Sequence, residues 1–187
     1  MTHASAEPGS RALGSPEVLA FGEPLVELCQ SRDDPRSWRQ GFGGDTSNFC
    51  VAVARSGGRA GYVSAVGDDR FGAMLRELWR REGVDDRHVR TTPGTPTGLY
   101  FVEPSTGGHR FEYRRAGSAA SRYCAADLPL DAIATARVLH VSGITLAIGA
   151  GPREASFAAM AHARAHGVLV CFDPNVRTAL WPLDEAR

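Results

Sequence analysis

Three short stretches carry residue types that could hold a small polar ligand. The first is GFGGDTSN, residues 41–48, where Gly43 and Gly44 run into Asp45, Thr46 and Ser47. Paired glycines lack a Cβ, so the backbone can turn sharply and approach a ligand closely. Asp, Thr and Ser are helix-capping types, and a helix start offers free N–H groups to hydroxyls or anions. The competing reading is an ordinary loop before a core helix. The second stretch is HRFEYRR, residues 109–115. In a strand, alternation puts Arg110, Glu112 and Arg114 on one face and Phe111, Tyr113 and Arg115 on the other. A guanidinium beside aromatics fits a flap over a pocket, and an edge hairpin with exposed charges fits equally. The third is FDPNVR, residues 172–177, in which Asp173, Asn175 and Arg177 follow an apolar run. Ligand binding competes there with capping or salt bridging.

Other constellations point away from chemistry. The GxGxxG spacing of a dinucleotide fingerprint fails at Thr46, and no GxxxxGK[ST] phosphate loop occurs. His162 and His166 are four apart on a predicted helix, but no glutamate lies between them, and a helix end favours His166 through the dipole. His140, within an apolar strand, reads as a hydrogen-bonded core residue. Ser142 sits in LHVSG, which is not the GxSxG of a nucleophile elbow. Cys29, Cys50, Cys124 and Cys171 form no CxxC pair, so they read as reduced thiols rather than a zinc or redox site. No metal site is predicted.

The elements that must position these stretches alternate between strand and helix. EVLAFGEPLVEL, residues 17–28, reads as a buried strand, a turn at Gly22 and Pro24, and an extended stretch carrying Glu27. Residues 31–40 read as an exposed loop or hairpin end with Trp38 as its large apolar residue. FCVAVA after the glycine pair suits a buried strand or a helix, and the polar cap before it with Gly57 and Gly58 after it selects the helix. RAGYVSAVGDD is a strand whose Asp68 or Asp69 caps a helix with Phe71, Met74, Leu75, Leu78 and Trp79 on one stripe. That stripe is core. Residues 98–103 and 109–115, separated by PSTGG, predict a β-hairpin. From Asp127 a short helix, the strand VLHVSG, a helix from Pro152 to Gly167 and the strand VLVCF imply parallel strands joined by a right-handed crossover. Asp173, Asn175 and Arg177 then fall beyond a strand's carboxyl end, where open α/β sheets bind ligands.

The chain of 187 residues balances 21 basic against 21 acidic side chains, so no net field favours nucleic acid or an anionic membrane. No run approaches the roughly 20 apolar residues that span a bilayer. The opening residues lack the apolar core of a secretory signal; residues 1–16 are expected to be a disordered tail and the location cytoplasmic.

GGDTSN matches a GGxxxN signature, GYVSAVGDDRFG a following strand and helix start, and FDPNVR a DxNxR element, in order from about Val18 to the last residue. In these motifs the sequence resembles the ribokinase-like (PfkB) carbohydrate kinases. GEPLVEL, TGLYF, YRRAGSAAS and DPNVR followed by ALWP look most like the 2-keto-3-deoxygluconate kinases. The resemblance implies an α/β fold: a Rossmann-type parallel sheet flanked by helices over residues 17–187, with a small β lid near 23–42 and 96–116. It implies transfer of the ATP γ-phosphate to a sugar hydroxyl, with ATP and Mg2+ as cofactors and a sugar or sugar acid as substrate. Gly43, Gly44 and Asn48 would meet sugar hydroxyls, Tyr100, Tyr113 and Arg115 would reach the sugar from the lid, and Arg177 would meet its acid group or the phosphate. Asn175 would lie near the nucleotide phosphates, and the lid would pair two copies in a homodimer. The family's general-base aspartate belongs to a GAGD segment, and neither GAGD nor an NxxE motif occurs here. The expectation is therefore an incomplete kinase domain whose carboxyl-terminal part is missing, with no catalytic residue of its own and inactive alone. A kinase for fructose and a non-catalytic sugar-acid binding module are the alternatives.

Overall fold

A computed structural model describes residues 16–186. Five parallel strands form the central sheet: β1 (Val18–Phe21), β4 (Ala60–Gly67), β5 (Val89–Thr92), β8 (Val138–Ser142) and β9 (Leu169–Asp173), in the order β5-β4-β1-β8-β9. From β1 the chain builds one half of the sheet through β4 and β5, then crosses to the other side for β8 and β9. The strand order thus reverses at β1, and the crevice between the carboxyl ends of β1 and β8 is the ligand position that this topology favours.

Helices cover both faces of the sheet. On one side lie α1 (Asp45–Arg55) and α2 (Arg70–Arg81); on the other lie α3 (Leu130–Thr135), α4 (Gly143–Ala147) and α5 (Ala150–Ala165), with the one-turn α6 (Leu183–Ala186) at the end. The predicted α2 stripe is core: Leu75, Leu78 and Trp79 are buried, and Phe71 and Met74 pack beside them. Asp69 caps this helix, accepting from the Gly72 N–H at 2.8 Å. The same carboxylate accepts from the Thr97 N–H at 2.7 Å, so the cap also anchors the chain entering the lid. Small residues on α5, Ala155, Ser156, Ala159 and Ala163, let it lie close on the sheet, and each is fully buried.

The lid is a second, four-stranded sheet in the order β3-β2-β6-β7, made of β2 (Leu25–Gln30), β3 (Trp38–Gly43), β6 (Leu99–Ser105) and β7 (Gly108–Arg114). Of the two readings of 31–40, an exposed loop or a hairpin end, the structure shows the hairpin end: Trp38 begins β3, which pairs with β2 from Gln30↔Trp38 to Leu25↔Gly43. Gly43 therefore ends a strand, directly before the turn at Gly44. The predicted PSTGG turn is shorter than expected, because Pro104 and Ser105 stay paired with His109 and Gly108.

One further expectation changes, that of helix capping, while His140 is the core residue expected: it is buried and stacked on Phe49, with ring centroids 3.9 Å apart, and its ring has a backbone hydrogen bond at Cys171, although Nδ1 has no partner. Burial, against the pull of Asp45 and Asp173, holds its pKa below the ordinary imidazole value. The capping expected from Asp45, Thr46 and Ser47 falls to Gly44, and the hydroxyls turn into the core. Thr46 Oγ1 lies 3.0 Å from the Tyr62 hydroxyl, and Ser47 accepts from Trp79 Nε1 at 2.9 Å. His162 and His166 each face a backbone carbonyl, at 3.1 and 2.9 Å. Among the described residues, no group of three or more His, Cys, Asp or Glu is placed to hold a metal ion. The opening residues 1–15 lie outside the described ones.

Candidate functional site

A cavity of about 210 Å³ opens where β1 ends, the lid folds over and α1 begins. Its floor depends on Gly44. This residue has φ 95°, and a Cβ there would sit 2.3 Å from the Glu23 carbonyl oxygen, so glycine alone lets the two backbones meet. Gly43 is not on the cavity wall; a Cβ at that position would strike the Tyr100 hydroxyl at 2.5 Å, so its role is to admit that ring. Asn48, one turn into α1, reaches the cavity with a side chain that has no hydrogen-bond partner among the described residues.

The lid supplies the opposite wall. Strand pairing puts Glu27, Tyr100 and Tyr113 in one row across β2, β6 and β7. The Tyr100 hydroxyl donates to Glu27 Oε2 at 2.5 Å, and its ring stacks on Tyr113 with centroids 5.6 Å apart. Burial first, then the Glu27 contact, raises the Tyr100 pKa above the ordinary phenol value, so the ring is neutral. Tyr113 and Phe111 are about half exposed and line the cavity. On the outer face Arg110 pairs with Glu103 at 2.7 Å and Arg114 with Glu112 at 2.5 Å. Arg115 lies at the inner edge, its guanidinium carbon 4.5 Å from the Tyr113 ring centroid and Nη2 3.1 Å from Glu23 Oε2.

The base of the cavity is a polar node. Asp45 Oδ2 accepts from Asn175 Nδ2 at 2.8 Å and also from the Ser142 hydroxyl, while Oδ1 accepts from the Thr46 N–H at 2.8 Å. Asp45 therefore joins α1, the end of β8 and the loop after β9. In that loop Asn175 adopts φ 36°, a left-handed conformation that Asn tolerates, and Asp173 accepts from its N–H at 3.0 Å. Arg177 donates to the carbonyls of Val176 and Asn175 at 3.1 and 3.3 Å and lines the cavity on its open side.

The Asn48 amide, stacked aromatics and two guanidinium groups around one small cavity suit a polyhydroxy ligand with an anionic group. A family model described as pfkB family carbohydrate kinase matches residues 17–187. The chain belongs to the pfkB family. A relative in this family, 2-dehydro-3-deoxygluconokinase from Thermoproteus tenax, is 38% identical over 172 residues, covering 88% of this chain and 52% of its own length. The probable fructokinase-3 of Arabidopsis thaliana is 37% identical over 177 residues, covering 91% and 51%. Among solved structures, the PfkB protein from Polaromonas sp. JS666 superposes with a TM-score of 0.86 at 34% identity, over 91% of this chain and 59% of that one. Fructokinase from Xylella fastidiosa with bound ATP gives a TM-score of 0.82 at 30% identity, over 89% and 51%. The chain spans about half the length of the curated relatives it matches.

Of the residues that the pfkB-family motifs single out, Gly44, Asn48, Tyr100, Tyr113, Arg115, Asn175 and Arg177 line this cavity, and Gly43 lies behind Tyr100. Phe111, read as part of the flap's pocket-facing side, and Asp45, read as a helix cap, also line it, and so do Glu23, Leu25 and Ile144, which had no site role in the sequence reading. For Glu23 the sequence held a signal, a charged residue between Gly22 and Pro24 directly after an apolar strand. Asn175 and Arg177 are the groups able to meet phosphate, but Asn175 already spends its amide on Asp45. Among the described residues, no group of three or more His, Cys, Asp or Glu gathers beside them.

Proposed function

We propose that this chain carries the acceptor-sugar site of a carbohydrate kinase and that the acceptor is an acid sugar, 2-keto-3-deoxygluconate. The observation that carries the reading is the convergence of Asn48, Tyr113, Arg115 and Arg177 on a cavity of about 210 Å³ between the lid and the strand ends. Asn48 and the backbone at Gly44 serve the hydroxyls, Tyr100 and Tyr113 form the apolar wall, and a guanidinium takes the carboxylate through paired hydrogen bonds. In the complete reaction ATP supplies the phosphoryl group, as the ATP-bound fructokinase neighbour supports. Residues of this chain orient the acceptor and exclude water from it, and the GAGD segment that the family resemblance makes the source of the base and of the phosphate's anion hole does not occur in this sequence. The 187-residue chain is accordingly expected to bind sugar without turning it over.

Similarity to fructokinases at 37% identity favours a second reading, a neutral acceptor such as fructose. Calorimetry separates the two. The acid-sugar reading predicts that 2-keto-3-deoxygluconate binds at least about tenfold more tightly than fructose, a difference of about 1.4 kcal/mol. Equal or reversed affinities refute it and leave the fructose reading in place.

A further inference from the structure

Glu23 stands where β1 leaves the sheet for the lid, and 1% of it is exposed. Neither carboxylate oxygen accepts a hydrogen bond, although Arg115 Nη2 lies 3.1 Å from Oε2. The counter-ion is itself held tightly. Arg115 has a side chain 14% exposed, rests on the Tyr113 ring, and keeps its Nε buried without a partner. The other charged groups around this point are Asp45 at the start of α1 and Arg177 in the loop after β9; the Tyr100 phenol of β6 is neutral and tied to Glu27. An anion entering the cavity and reaching Arg115 competes with Glu23 for one cation. It also brings a second negative charge beside a carboxylate that no N–H or hydroxyl solvates.

We infer, on the footing of the acid-sugar reading above, that Glu23 is a specificity-determining residue that takes up one proton when Arg115 engages a ligand carboxylate. The charges balance. Before binding, Glu23 and Arg115 cancel each other; after binding, the guanidinium cancels the ligand carboxylate, and a proton from solvent rests on one Glu23 oxygen. A neutral sugar displaces nothing from Arg115 and binds without proton uptake. The starting point is favourable: burial pushes the Glu23 pKa up to about 7, against the pull of Arg115 and with a further push from Asp45. An added anion then carries the carboxyl across the neutral range.

The test is calorimetry of the 187-residue chain at pH 8 in HEPES and in Tris, whose ionisation enthalpies differ, with 2-keto-3-deoxygluconate and with fructose. The expected result is uptake of between about 0.5 and 1 proton per acid sugar and close to none with fructose, with acid-sugar affinity falling up to about tenfold per pH unit above neutrality. Glu23→Gln, a neutral isostere of the protonated side chain, should bind the acid sugar with no uptake and with affinity flat from pH 7 to 8.5. Acid-sugar binding without proton uptake by the unaltered chain overturns the inference and leaves the acid-sugar reading standing. So does uptake that persists in Glu23→Gln. Absence of any acid-sugar binding refutes that reading itself, and this inference with it.

Discussion

Asn175 donates through Nδ2 to Asp45 Oδ2 at 2.8 Å, joining the loop after the last strand of the sheet to the first turn of α1 across 130 residues of sequence. The contact gives Asp45 a structural task and holds the Asn175 to Arg177 loop against the cavity. Asn175→Gly keeps access to the left-handed backbone at this position while deleting the amide. It is expected to weaken sugar binding about tenfold and to lower stability by about 1 kcal/mol, read by calorimetry and urea denaturation.

Gly44 tests the backbone geometry of the floor. With φ 95° and the Glu23 carbonyl 2.3 Å from where a Cβ would stand, Gly44→Ala must move one of two main chains. A loss of at least about 2 kcal/mol is expected, together with loss of sugar binding. An alanine variant that melts within a degree or two of the parent would contradict the close approach.

Arg115 should discriminate between ligands. Arg115→Ala removes the cation that faces both Glu23 and the cavity, and affinity for 2-keto-3-deoxygluconate should fall about 100-fold while affinity for fructose falls less than about tenfold. Arg115→Lys keeps the charge but loses the paired geometry, so it should recover only part of the difference. Equal losses for both sugars in Arg115→Ala would assign the residue a packing role.

The Glu23 carboxyl also makes stability depend on pH. Its folded pKa of about 7 lies above its ordinary 4.5, so the folded state binds more protons between those values. Stability therefore declines as pH rises from about 4.5 to about 7 and is level above that, a loss of up to about 3 kcal/mol. Glu23→Gln removes this dependence. Melting temperatures at pH 5 and pH 8 should fall several degrees further apart in the unaltered chain than in the variant.

The parts of the fold legible in the sequence are those set by local pattern. Phe71, Met74, Leu75, Leu78 and Trp79 repeat at helical spacing, and the structure buries that stripe. The alternation of Phe111, Tyr113 and Arg115 put them on one face of a hairpin, and they line one cavity. What escaped is set by contacts between distant segments. Glu23 meets Arg115 across 92 residues, a pairing no spacing rule reports. Gly43 is dictated by the Tyr100 ring above it, and the Thr46 and Ser47 hydroxyls by Tyr62 and Trp79 in the core, so a cap-like sequence became a buried one. His140 reads as a core residue because burial is visible in an apolar strand, and the structure buries it against Phe49.

The central claim is that one cavity gathers the lid, the α1 start and the loop after β9 around a single acid sugar. Titration of the isotopically labelled chain with 2-keto-3-deoxygluconate, followed by NMR, addresses it directly. Side-chain signals of Asn48, Tyr113, Arg115 and Arg177 are predicted to shift together along one binding curve. Shifts confined to one of these segments, or curves with different midpoints, would contradict it.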